Sequence, residues 1–101
     1  MDEARTYAWI LYSLAGASQQ APASFAAISQ VADGINHAVP THKEMQASLK
    51  WLMENGMAQK QGSGYQLTEN GAAIMESARK GNTGISQVWA ALTSALCVCL
   101  E

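Results

Sequence analysis

The sequence predicts a mostly helical α+β domain, and three observations carry that prediction. Apolar residues recur at helical spacing in five separate segments. One of these segments, running from Thr41 to Asn55, is marked at both ends by residues that start and stop helices. Directly after it come two short strand-like runs on either side of Gly62-Ser63-Gly64. The chain has 101 residues, 49% of them apolar, so it can close one hydrophobic core without a metal or a disulfide.

In the first segment Tyr7, Ile10, Leu11 and Leu14 follow the i, i+3, i+4, i+7 pattern, which predicts a helix from Asp2 to Ala15 stopped by Gly16. Trp9 and Tyr12 widen its apolar arc, so this helix is expected to be central to the core or to meet a second surface. The stretch "GASQQAPAS" is a loop by composition. Ser24 can cap a second helix reaching Ala38, with Phe25, Ile28, Val31 or Ala32, and Ile35 facing inward, and Pro40 closes it.

The third helix opens on Thr41 and Glu44, the T-x-x-E pair in which each side chain serves a backbone N–H of the first turn. Met45, Leu49, Leu52 and Met53 then share its inner face, and Asn55-Gly56 ends it. Strands are expected at Met57 to Gln61 and at Tyr65 to Thr68, with Ala58, Lys60, Gln66 and Thr68 on the more polar face. Thr68 or Asn70 caps a fourth helix with Ala73, Ile74 and Ala78 inside, and "KGNTG" breaks it. Ile85, Val88, Trp89, Leu92 and Leu96 mark a last amphipathic helix with a narrow stripe. The expected organisation is a folded unit over residues 1–80, an appended helix over 81–99, and Leu100-Glu101 as a tag remnant.

Net charge is −2 and charged residues make up 14%, which argues against tight charge-driven binding to nucleic acid or anionic membrane. The acidic start lacks the basic region of a secretory signal, and no apolar run approaches the length of a membrane span, so a cytoplasmic protein is expected. Cys97 and Cys99 diverge on a helix and are expected to stay reduced. No nucleophile–base spacing stands out, and "GSG" opens onto a strand rather than a helix, so no enzyme is expected. Asp33, His37 and His42 straddle Pro40 and lack a second ligand pair, so neither a metal nor another cofactor is expected. Core packing accounts for Tyr7, Trp9, Tyr12 and Trp89 more simply than a small-molecule pocket does.

The stretch "SLKWLMENGMAQKQGSGYQLTENG", residues 48–71, carries a resemblance. It holds Leu49 and Leu52 three apart, a glycine turn at Gly56, a first strand, a glycine tip, and a tyrosine-bearing strand entering Leu67-Thr68-x-x-Gly71. In this it resembles the winged helix-turn-helix domains of small bacterial regulators of the MarR and PadR type. The second helix is longer than that pattern has, and "ADGINHAVPT", which resembles a string seen in small bacterial proteins, replaces a tight glycine turn.

The resemblance implies double-stranded DNA as partner. His42, Lys43, Gln46 and Ala47 would then start a recognition helix, with Lys50 one turn on for phosphate and Lys60 on the wing for backbone. Within residues 41–65, Lys43, Lys50 and Lys60 stand against Glu44 and Glu54, a net charge of +1 in a chain of −2. The alternative is a solvated helix face on a protein-interaction module of the same fold. Trp51, flanked by inward-facing Leu49 and Leu52, is expected to cover the core or wing, or to meet a partner. Ile85, Val88, Trp89, Leu92 and Leu96 are expected to pair with the same stripe of a second copy in a homodimer, folding back on the first helix being the alternative.

Overall fold

A computed structural model describes residues 3–100. The element order is α1 (Glu3–Ala17), α2 (Phe25–Asn36), α3 (His42–Glu54), β1 (Ala58–Gln61), β2 (Gly64–Leu67), α4 (Glu69–Arg79) and α5 (Ile85–Cys99). Three helices followed by a two-stranded antiparallel hairpin is the order of a winged-helix topology, here continued by two further helices. The expected helix start at Asp2 and the tag residue Glu101 lie outside the described residues.

The first helix is central, packing against α2, α3, α4, α5 and β2. That is why apolar residues occupy more than one stripe: Ala8, Trp9, Ile10, Leu11, Leu14 and Ala15 are all buried. The Trp9 indole N–H, in that interior, donates to the Ala32 carbonyl of α2 at 2.9 Å, so its one polar atom is satisfied. Gly16 does not stop α1, which runs on to Ala17. A Cβ at Gly16 would lie 3.1 Å from Cγ1 of Val31, so the glycine serves the close approach of α1 to α2.

The second helix ends earlier than expected, at Asn36, because His37 takes the left-handed conformation (φ 54°) and its N–H bonds the Asp33 carbonyl at 2.7 Å. Ile28 and Ala32 are its buried residues, while Phe25, Val31 and Ile35 are half-buried. Both expected ends of α3 are present. Thr41 accepts from Glu44 N–H at 3.0 Å and Glu44 accepts from Thr41 N–H at 2.9 Å. At the far end Gly56 (φ 73°) lets its N–H reach the Met53 carbonyl and Met57 N–H reach Leu52, the paired bonds of a Schellman stop.

The hairpin pairs Ala58 with Leu67, Gln59 with Gln66, Lys60 with Tyr65 and Gln61 with Gly64. This register corrects the expected polar face: Ala58 and Lys60 share a side with Tyr65 and Leu67, whereas Gln59 and Gln66 share the other. The loop before α2 also holds a β-bridge, in which Ala23 and Tyr65 exchange both backbone bonds at 2.8 Å.

Thr68 caps α4 by accepting from Gly71 N–H at 3.0 Å, and its hydroxyl donates to the Gly56 carbonyl. That cap sets the phase of α4, so Gly71, Met75 and Ala78 face inward; Ala73, expected inside, is exposed, and Ile74 is half-buried. The side chain of Gln87 accepts from the N–H groups of Thr83 and Gly84 at the start of α5.

The last helix folds back along α1. Val88, Trp89, Leu92 and Leu96 are buried in the same core as Trp9 and Leu11, and only Ile85 of the stripe expected to pair with a second copy is exposed. In this position those four cannot form an exposed pairing surface, because α1 already covers them. Residues 81–99 thereby complete the core built by the preceding eighty rather than standing apart from it.

Candidate nucleic-acid interface

Helix α3 is oriented by what it buries. Met45, Ser48, Leu49 and Leu52 point into the core, so the opposite face is fixed outward. His42, Lys43, Gln46, Ala47 and Lys50 are all exposed. Lys43, Ala47, Lys50 and Glu54 follow each other at three- and four-residue spacing, one ridge along the helix. His42 and Gln46, four apart, lie beside that ridge.

An aromatic row joins the helix start to the wing. The His42 and Phe25 rings have centroids 5.6 Å apart, Phe25 and Tyr65 are 5.7 Å apart, and Lys60 Nζ lies 5.9 Å from the Tyr65 ring centre. The structure thus connects His42 and Lys60 through Phe25 and Tyr65. The Ala23–Tyr65 bridge holds the wing to the start of α2, and Gly64 permits it, since a Cβ there would sit 2.9 Å from Pro22 Cβ. Sequence reasoning did not identify Phe25 or Tyr65 as this link. Its signal was the pair of large aromatics at the edges of otherwise polar segments.

The cations are interleaved with carboxylates. Glu54 closes the Lys43–Lys50 ridge, and Lys43 shares a surface groove between α1 and α3 with Glu3 and Glu44. This groove, of about 320 Å³, is also lined by Tyr7 and Ser48. Tyr7 stacks on Trp51 with centroids 4.6 Å apart and planes 13° apart, so the Trp51 ring covers α1 rather than the wing. Burial pushes the Tyr7 hydroxyl above its ordinary pKa, and the charges of Glu3 and Glu54 push in the same direction.

Ser48 is fully buried and its hydroxyl has no hydrogen-bond partner among the described residues. A buried hydroxyl left unpaired costs about 1–3 kcal/mol, and serine is a poorer helix former than alanine. Ser48→Ala is therefore expected to stabilise the free protein by about 1 kcal/mol, read as a higher urea midpoint at unchanged slope. A lower midpoint would show that the hydroxyl has a partner in solution.

The other singled-out residues fall elsewhere. His37 is exposed at the end of α2, and no three His, Cys, Asp or Glu residues among the described ones are grouped so as to hold a metal ion. Cys97 and Cys99 are exposed free thiols. No helix among the described residues is long and apolar enough to cross a membrane. Comparison of the chain with protein-family models, curated proteins and solved structures found no match.

Proposed function

We propose that this protein is a cytoplasmic DNA-binding regulator of the kind the MarR and PadR resemblance implies, reading duplex DNA with α3 and the hairpin wing. The observation that carries the reading is the coherent outward face of α3, with His42, Lys43, Gln46, Ala47 and Lys50 exposed together and Lys60 tied to it by the aromatic row. Lys43 and Gln46 suit base edges in a major groove, because an ammonium donates to guanine acceptors and a carboxamide pairs with adenine. Lys50 and Lys60 suit phosphates, which position a protein without reading sequence. With so few cations, affinity for arbitrary duplex is weak and falls steeply with salt. Fluorescence anisotropy of a labelled duplex against protein, repeated across salt concentrations, tests this. Binding at low salt that weakens as salt rises is expected, and no binding even at low salt ends the reading.

A homodimer belongs to the same proposal, through a different surface from the buried stripe. From Gly81 to Leu100 the chain carries no charged residue, yet the outer side of α5 is exposed, including Ile85 at 50% and Val98 at 70%. An uncharged, partly apolar face can meet itself across a twofold axis without like-charge repulsion. The same face supports the second reading, a protein-interaction module of this fold without DNA affinity. Light scattering on the wild type and on Val98→Glu checks the pairing: a dimer that Val98→Glu reduces to monomer is expected, and a monomeric wild type would contradict it.

A further inference from the structure

The groove between α1 and α3 is not used by the DNA-reading face, although Lys43 borders both. At about 320 Å³ it falls at the small end of ligand sites, the size for a metabolite rather than a larger organic molecule. Its polar groups carry both signs: the Lys43 ammonium lies with the carboxylates of Glu3 and Glu44. Glu44 Oε1 already accepts from Thr41 N–H, which leaves Oε2 as its oxygen for a ligand. Buried at the groove's side is the unpartnered Ser48 hydroxyl, able both to donate and to accept. A lone anion would meet two carboxylates, and a lone cation would meet Lys43. A molecule bearing both charges on a short frame matches the set.

We propose that this groove binds a small zwitterion of the amino-acid type, with its carboxylate on Lys43, its ammonium at Glu3 and Glu44, and one polar atom on Ser48. Occupancy would engage Lys43 and so weaken duplex binding; that consequence rests on the regulator reading, whereas the binding step does not. Ser48 is a positioning group for the ligand, and its unpaired state in the free protein is what a ligand relieves.

Amide chemical-shift mapping on the full chain without DNA tests the site, using L-alanine, L-serine and L-glutamine as probes at millimolar concentration, with ethylamine and propionate as single-charge comparisons. The expected result is saturable shifts confined to the α1–α3 groove for at least one amino acid. Affinity should fall about tenfold or more in Ser48→Ala and in Lys43→Gln, while both variants keep the wild-type fold by their remaining spectrum. The proposal is overturned if no amino acid shifts the groove, if ethylamine or propionate binds as well as the zwitterion, or if Ser48→Ala leaves the affinity unchanged. Loss of DNA binding in a separate titration would end the regulator reading without touching this result.

Discussion

A chain ending at Arg79 is expected to lose its cooperative unfolding transition. The helix removed contributes Val88, Trp89, Leu92 and Leu96 to the shared core, all of them buried. Burying side chains of this size stabilises a domain by about 1.5–3 kcal/mol each. Four of them approach the whole net stability of a small domain, about 5–15 kcal/mol. Two further links would go with them: the Trp89 indole N–H donates to the Arg5 carbonyl at 2.9 Å, and the Arg5 guanidinium lies 3.9 Å from the Trp89 ring centre. Removal also uncovers one side of α1, the helix on which every other helix rests. Thermal melts followed by near-ultraviolet circular dichroism should show a sharp transition for the full chain and none for the truncated one. An equally sharp transition in the shorter chain would show that residues 1–80 fold alone, and α5 would return to being an appendage.

Gly71→Ala is expected to destabilise the protein by about 3 kcal/mol, the upper range for forcing volume into a packed site. A Cβ at Gly71 would lie 2.0 Å from the Met57 carbonyl oxygen and 3.0 Å from its carbon. Both are backbone atoms, and neither can swing aside as a side-chain tip could. Met57 is itself held from two sides, its N–H on Leu52 and its carbonyl accepting from Thr68 N–H. Relief therefore requires shifting the start of α4 or the junction between α3 and the wing. Gly34→Ala is the control, since nothing lies within 4 Å of its added Cβ. Alanine in a helix interior is better than glycine by about 0.5–1 kcal/mol, so this change should stabilise. Urea midpoints moving in opposite directions are expected. A Gly71→Ala midpoint equal to wild type would mean that the α4 start yields freely and that Gly71 has no packing role.

The elements that could be read from the sequence are those whose signals are local. Thr41, Glu44 and Gly56 mark α3 within a few residues of its ends, and both ends form as that reading expects. Gly62 with φ 61° at the first position of a two-residue loop likewise gives the wing its turn. What escaped depends on neighbours distant in the chain. Gly16 reads as a stop when only its flanks are considered, and its reason is Val31, fifteen residues on. The polar face of the hairpin was mixed because alternation in four-residue strands is weak, and it is the cross-strand register that assigns Lys60 to the side of Tyr65. Ala23 sits in a segment with loop composition, so its bridge to Tyr65 leaves no local trace.

The candidate face divides in the same way. Helical spacing alone groups His42, Lys43, Gln46, Ala47 and Lys50, and the structure leaves all five exposed. Their surroundings were hidden: Glu3 comes from another helix to flank Lys43, and Phe25 comes from α2 to bridge His42 and Tyr65. The stripe on α5 was legible as apolar, but its partner was not. Periodicity states that a face is buried without saying whether α1 or a second copy buries it. Ser48 could not be found from sequence at all, since a serine on the inward face of a helix carries no mark of whether its hydroxyl will be paired.

The central claim is that the outward face of α3 meets DNA, and reversing its charge addresses that most directly. Lys43→Glu combined with Lys50→Glu changes two exposed side chains on one ridge and leaves the buried face of α3 untouched. Duplex affinity at low salt should collapse in the double variant while its melting temperature stays near that of the wild type, because exposed substitutions away from the core change stability by about 0.5 kcal/mol or less. Equal affinity for wild type and double variant, or no binding by either, would contradict the assignment.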